Sequence, residues 1–226
     1  MTHLDTELKQ LKTDIIEMWE LVLSQCNKAH QSIIKHDKEL AADIMANEKR
    51  VDAFELKINM DCENILALFN PLANDLRFVL AVLKITYNLE RIGDYAKGIA
   101  KLIHDSEEPF GKENLKVAKI DQMFSTADGM LGNALNSFIK EDVVAVRQVF
   151  KNDDQLDKVN KKANSIIAGI IARNPDKIES ALNLLSIIRK LERVGDQSKN
   201  IAEEIIFYIE AKVLKHKKKK EKLGEL

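Results

Sequence analysis

The chain alternates between long segments with a helical spacing of apolar residues and short polar breaks. Within the first segment, apolar residues recur every three or four positions, which is the period of an amphipathic helix. This pattern predicts helices over residues 4–36, 38–69 and 72–104. Asn70-Pro71 separates the last two, and Asn at an N-cap followed by Pro at the first helical position is a typical helix start.

The second half of the chain repeats this plan. Its apolar spacing predicts helices over residues 115–139 and 143–173, and a last helix from 176 to beyond 213. Asn174-Pro175 stands between the last two helices, at the place that Asn70-Pro71 takes in the first half. Each half therefore consists of three long helices joined by short turns, as in an elongated antiparallel bundle.

The clearest break in the pattern is the segment 105–112, which concentrates Ser, Pro and Gly. Such a segment favours a linker. We therefore predict an all-α fold of two tandem three-helix bundles, with six long antiparallel helices related by an internal repeat. The first repeat covers residues 1–109, and the second covers residues 110–226 with a basic C-terminal tail.

One stretch of thirteen residues occurs twice, as residues 88–100 and again as 190–202. Eight of the thirteen positions are identical, and both copies contain Leu-Glu-Arg-(Ile/Val)-Gly-Asp. The similarity extends to the second helix of each half, where Ile44 aligns with Val149 and Glu48 with Asp153. A repeat that keeps both the apolar and the acidic positions indicates a duplicated structural unit.

Carboxylates recur at positions i and i+4 in both halves, and such pairs lie on one helix face, about 6 Å apart along the axis. If the second and third helices of each half are antiparallel, four carboxylates converge in each half. Two like charges about 4 Å apart repel by about 4 kcal/mol at an effective dielectric of about 20. Such a cluster needs protonation, basic partners or bound cations. The predicted metal-binding acids are Glu48, Asp52, Glu90 and Asp94 in the first half and Asp153, Asp157, Glu192 and Asp196 in the second.

Oxygen ligands alone favour hard ions such as magnesium, calcium or manganese, or iron. With 31% charged residues, acid pairs at this spacing also arise by accident on solvated helix faces. Their repeat-related positions beside the apolar face favour cation binding. Gly93 and Gly195 stand on that face itself, where glycine in a helix costs about 1 kcal/mol against alanine, so their use predicts a close approach of helices beside the acids.

Composition narrows the functional classes. The net charge of −1 and the balanced 35 basic and 36 acidic residues offer no general attraction for nucleic acid. No apolar run approaches a membrane span or a signal sequence, and Cys26 and Cys62 show no metal or redox spacing. We therefore expect a cytoplasmic protein. The basic block 215–220 is interpreted as a solvated helix end.

The tandem helical repeats that each carry Leu-Glu-Arg-(Ile/Val)-Gly-Asp resemble the PhoU family of phosphate-uptake regulators. The segment Pro71–Arg77 also resembles the Pro-x-x-x-Asp-Leu-Arg segment of that family, whereas Pro175–Ala181 in the second repeat lacks it. The resemblance covers nearly the whole chain.

This resemblance implies a regulator rather than an enzyme. Family members are understood as cytosolic adaptors, often homodimers, between the ATPase of the phosphate ABC transporter and a membrane sensor histidine kinase. They keep the phosphate-starvation response off when phosphate is plentiful. The resemblance also implies metal ions (iron, zinc, manganese or magnesium) at the Glu/Asp-x-x-x-Asp motifs.

Two other functions are compatible with the pattern. The first is a carboxylate-bridged di-metal enzyme of the ferritin type, whose sites use Glu-x-x-His pairs that this chain lacks at its acid positions. The second is a metal-free structural helical module whose acids are solvated.

Overall fold

The computed structural model describes residues 2–214, and within that range it is helical without strands. The predicted all-α class is confirmed. The helices are α1 (His3–Lys35), α2 (Lys38–Phe69), α3 (Ala73–Asp105), α4 (Lys112–Val117), α5 (Ile120–Lys140), α6 (Val143–Arg147), α7 (Val149–Arg173) and α8 (Ile178–Glu210), with a 3-10 turn (Pro175–Lys177) before α8.

The turn between α1 and α2 is short because both helix ends are capped by residues of the turn. His36 ends α1 in the left-handed conformation, with φ of 52°. The side chain of Asp37 then accepts a hydrogen bond from the backbone N–H of Leu40, which satisfies one free donor of the first turn of α2. Two residues therefore suffice to reverse the chain.

The Asn-Pro corners differ from the prediction. Asn70 does not cap the start of α3; it ends α2 in the left-handed conformation, with φ of 47°, which asparagine tolerates better than most residues. Pro71 is buried in the connection, and α3 begins only at Ala73. In the second half, Pro175 opens the 3-10 turn that leads into α8.

The second half is also more interrupted than its apolar spacing predicts. A turn at Ala118 and Lys119 divides the predicted helix 115–139 between α4 and α5, with Lys119 at φ of 56°. Gln148 separates α6 from α7, and α8 ends at Glu210 instead of passing 213. The basic block 215–220 lies outside the described residues.

Helices α3 and α8 form the central antiparallel pair. Lys84 pairs with Glu204 at 3.0 Å, and Asn200 donates a hydrogen bond to Asn88 at 3.3 Å, so residue numbers fall on α8 as they rise on α3. Further along, Gly98 lies against the side chain of Lys190. Lys190 and Asn200 are the repeat equivalents of Asn88 and Gly98, so the contacts 98–190 and 88–200 are related by the internal repeat.

The buried apolar side chains form a cluster that continues through both repeats. Trp19 of α1 contacts Phe138 of α5 with ring centroids 5.9 Å apart, and Phe138 in turn contacts Phe78 of α3. Burying side chains of this size stabilises the fold by about 1.5–3 kcal/mol each. The first helix of one repeat thus packs on the first long helix of the other. Within residues 2–214, no helix is both long and apolar enough to cross a membrane.

Candidate functional site

A first groove lies between α2 and α3. Antiparallel packing brings Val51 beside Gly93 and Glu48 beside Lys97, which places the acids of the two helices opposite each other. We define the first groove by the residues Glu48, Asp52 and Glu55 of α2 and Glu90, Asp94 and Lys97 of α3.

A second groove lies between α7 and α8 at the repeat-related place. Its carboxylates interact electrostatically across the two helices, as Asp153 does with Asp196 and Glu192 with Asp157. We define the second groove by the residues Asp153, Asp157 and Asn160 of α7 and Glu192, Asp196 and Lys199 of α8. The structure therefore brings all eight predicted acids into two grooves, four in each.

The two motif glycines allow the helices of each groove to approach closely, as predicted. A β-carbon on Gly93 would lie 3.3 Å from Cγ1 of Val51, within a few tenths of an ångström of ordinary contact. On Gly195 it would lie 2.5 Å from Cδ1 of Leu156 and 3.5 Å from Oδ1 of Asp153. The space that a side chain at Gly93 or Gly195 would need is therefore filled by side chains of the facing helix, which also supplies the acids on the other side of the groove.

Each groove also contains a lysine that the acid pattern alone did not identify. Lys97 donates a hydrogen bond to Oε2 of Glu48 across the first groove. Lys199 donates to Oδ2 of Asp153 at 2.7 Å and to Oδ1 of Asp196 at 2.8 Å, so it joins the two helices of the second groove. The sequence did contain a pattern that could have identified these lysines, because both stand three positions after the motif Asp in the duplicated stretch.

These lysines remain charged in their grooves. The hydrogen bond to Glu48 raises the pKa of Lys97 above its ordinary value. Burial alone would lower the pKa of Lys199, but its hydrogen bonds to Asp153 and Asp196 raise that pKa instead. Basic partners, one of the three means of neutralisation considered from the sequence, are therefore present in both grooves.

The first groove carries an additional carboxylate, Glu55, which is not one of the eight predicted acids. Burial, with Asp94 and then Glu55 close by, raises the pKa of Glu90 to about 7. Burial followed by the charges of Asp52 and Asp94 also raises the pKa of Glu55. At the equivalent place the second groove has Asn160, which donates to Glu192 and partly offsets the rise that burial causes in its pKa.

The carboxylates of each groove are arranged around a lysine. Among residues 2–214, no three His, Cys, Asp or Glu side chains converge closely enough to hold a metal ion. The ammonium groups of Lys97 and Lys199 instead occupy hydrogen-bonding positions on Glu48 and Asp153. Metal binding by the eight acids stays a prediction.

The raised pKa of Glu90 makes folding stability depend on pH. A carboxyl with an ordinary pKa of 4.5 and a folded-state pKa of about 7 binds more protons in the folded state between these values. Stability therefore falls as pH rises through this window. We expect Glu90→Gln to reduce this fall in chelator-treated protein, measured as melting temperature from pH 4.5 to 7.5. A matched change of the exposed Glu20 to Gln should leave the profile unaltered, and a parallel shift of both variants would contradict the assignment.

Comparison with known proteins gives a consistent result. The PhoU domain matches residues 15–103 and 120–205, one copy in each repeat. The phosphate-specific transport system accessory protein PhoU homolog 1 of Thermotoga maritima is 34% identical over 214 residues, covering 94% of this chain and 91% of that protein. The PhoU homolog of Aquifex aeolicus is 31% identical over 217 residues, covering 96% and 97%.

Solved structures agree in fold and sequence. The crystal structure of PhoU from Pseudomonas aeruginosa superposes with a TM-score of 0.84 at 29% identity, covering 92% of this chain and 99% of that one. The phosphate transport system regulatory protein PhoU from Streptococcus pneumoniae gives a TM-score of 0.80 at 28% identity, covering 93% and 99%. With two matched domains, a duplicated motif and relatives similar over nearly their full length, the chain belongs to the PhoU family.

Proposed function

We propose that this protein is a cytoplasmic accessory protein of a phosphate transport system that regulates phosphate uptake. The observation that carries the proposal is the near full-length similarity, with both motif copies in place, to relatives that are named phosphate-specific transport system accessory proteins. The duplicated grooves support an adaptor role, because they place charged side chains at two repeat-related positions on one continuous helical core.

In finer detail, we propose that the protein is a homodimer that contacts the ATPase of the phosphate ABC transporter and a membrane sensor histidine kinase. Through these contacts it would keep the phosphate-starvation response off when phosphate is plentiful. The groove residues are carboxylates, lysines and one amide, without the histidines that a ferritin-type di-metal enzyme uses. This composition favours a regulator over that enzyme.

Deletion of the gene in the source organism tests the regulatory role. We expect alkaline phosphatase to be expressed at high phosphate in the deletion strain and to be repressed again by the wild-type gene on a plasmid. A strain that remains fully repressed without the protein would defeat the proposal. The plasmid strain serves as the control for effects on neighbouring genes.

The predicted metal sites are tested independently of this phenotype. If both grooves bind metal, the paired changes Glu90→Ala and Asp94→Ala should lower the metal bound per chain by about half, because the oxygen ligands of the second groove remain. Elemental analysis of protein purified without chelator measures this. Unchanged stoichiometry would remove the first groove as a metal site. Metal-free wild-type protein with the same melting temperature would favour the metal-free structural module.

A further inference from the structure

We propose that a cavity between the two repeats binds a small amphipathic amine, which has an aromatic or branched alkyl body and a cationic head group. The cavity has a volume of about 220 Å³ and is lined by residues of α1 and α3 from the first repeat and of α5 and α8 from the second. None of the eight predicted acids of the grooves lines it. The site is therefore separate from the grooves, and a ligand there would contact both halves of the chain.

The inner wall of the cavity is apolar. Helices α3 and α8 supply Ala96, Ile99, Leu191 and Val194, which are all buried and belong to the duplicated stretches. Phe124 of α5 adds an aromatic ring to this wall. Because an apolar cavity of about 150 Å³ is large enough for benzene, one aromatic ring with a short chain fits in this larger cavity. Apolar contact of this kind supplies most of the affinity in small-molecule sites.

Polar side chains join α1 and α5 at the rim of the cavity. Nδ2 of Asn27 donates a hydrogen bond to Oδ1 of Asp128 at 2.9 Å, and Nε2 of His30 lies 2.8 Å from Oδ1 of Asp121. The ring of His30 also stacks on that of Phe124, with centroids 4.6 Å apart. The side chain of Asp121 is 72% exposed, so this rim faces solvent. A ligand that enters here brings its polar head group to two carboxylates.

The carboxylate of Asp128 acts on the cavity itself. Burial, followed by the charge of Asp128, raises the pKa of Cys26 to about 12, and both side chains line the cavity. The thiol therefore stays neutral, and the negative charge of Asp128 selects a positive head group. Since Asn27 bonds to Oδ1 of Asp128, we assign Oδ2 as the acceptor for the ammonium group of the ligand.

The basic residues around the cavity leave this charge in place. Among the described residues that line the cavity, only His30 can become cationic, and its ring is hydrogen-bonded to Asp121. The basic residues next in sequence to lining residues interact elsewhere, namely Lys28 with Asp43, Lys97 with Glu48, Lys190 with Gly98 and Arg193 with Glu192. An anionic head group would therefore meet two carboxylates without a free cation beside them.

The residues at the repeat-equivalent place are larger or apolar. The shift of 105 residues that aligns Ile44 with Val149 also aligns the first helices of the two halves. It pairs Trp19 with Phe124, Leu23 with Asp128 and His30 with Leu135. Trp19 is fully buried. The cavity and its charged rim are therefore set by residues of this one place and do not follow from the repeated scaffold alone.

Isothermal titration calorimetry of the full chain with 2-phenylethylamine tests the site. We expect saturable binding of one molecule per chain, and binding of 3-phenylpropionate at least tenfold weaker because its head group is negative. Asp128→Asn should weaken binding of the amine at least tenfold while leaving that of the uncharged 2-phenylethanol unchanged. Phe124→Trp, which introduces the residue of the equivalent place, should abolish binding of both. The control Glu20→Gln removes an exposed carboxylate of α1 that does not line the cavity, and it should bind like wild type.

Three results would overturn the amine site. One is the absence of saturable binding of 2-phenylethylamine up to about 10 mM, beyond the range expected for a ligand of this size. Another is binding of the amine by Asp128→Asn that equals wild type. The third is binding of 3-phenylpropionate as tight as that of the amine. Circular dichroism checks that each variant keeps its helical content, and the Asp128→Asn comparison decides the question if Phe124→Trp does not fold. The titration involves neither phosphate nor the grooves, so its failure leaves the alkaline phosphatase result intact, and the reverse also holds.

Discussion

Replacing Lys199 with methionine should lower the free energy of unfolding by about 3 kcal/mol at pH 7.5, near the lower end of the range for breaking a buried ion pair. The reason is the carboxylate that remains. Asp153 is only 7% exposed, its Oδ1 has no hydrogen-bond partner within the described part of the chain, and its Oδ2 depends on Lys199. Methionine fills the volume of the lysine stem but leaves this charge without compensation. Urea denaturation measures the loss.

The matched control is Lys97→Met in the first groove. The side chain of Lys97 is 40% exposed, against 27% for Lys199, and within residues 2–214 its salt bridge is to Glu48. Glu48 is as buried as Asp153, at 7% exposed, but unlike Asp153 it has no oxygen that is both buried and without a hydrogen-bond partner in that range. We therefore expect a smaller loss, of about 1–2 kcal/mol, between that of a solvent-screened pair and that of a buried one. The loss in Lys199→Met should also shrink at pH 5, because burial raises the pKa of Asp153 and protonation removes its charge. Equal losses in the two variants, or a loss independent of pH, would contradict this account.

Replacing Gly195 with valine should cost about 2–3 kcal/mol, toward the upper end of the range for overpacking a close-packed core. The β-carbon alone would lie 2.5 Å from Cδ1 of Leu156, and Leu156 is buried, so its side chain would have to shift within a close-packed core. The same β-carbon would approach Oδ1 of Asp153 to 3.5 Å. The change therefore separates α7 from α8 at the groove. Urea denaturation again measures the effect.

Gly169 offers the control within α7. A β-carbon there meets no atom within 4 Å, so Gly169→Val should change stability by no more than about 0.5 kcal/mol. Because Gly195 and Lys199 both act on Asp153, the double variant should lose less than the sum of the two single losses. Strict additivity would show that the glycine and the lysine act on separate parts of the structure.

The helices were predictable because each long segment has one continuous apolar face, whose period does not depend on tertiary contacts. The connections between the helices were less predictable. Asn70 suits both a helix start and a left-handed helix end, and only the burial of Pro71 in the connection decides between them. The breaks near Lys119 and at Gln148 contain neither Gly nor Pro, so their cause lies in packing rather than in local propensity.

The candidate site was predictable to the extent that it is duplicated. Repetition marked the eight acids and the two glycines, and the structure brings them together. Lys97 and Lys199 were overlooked because a search for carboxylates ignores their counter-charges, although both lie inside the repeated stretch. Glu55 was not predicted because it stands three residues after Asp52, outside the i, i+4 pairs, and its repeat counterpart is Asn160 and not an acid.

The crossing of α3 and α8 has the geometry of an isologous dimer interface made within one chain. In a homodimer, one residue must suit both sides of the axis. Here the two sides are encoded separately, so Gly98 faces Lys190 while Asn200 faces Asn88. The same freedom gives the two grooves different charges, with Glu55 in one and Asn160 in the other. Joining the halves therefore lets one symmetric scaffold present two surfaces that partners can distinguish.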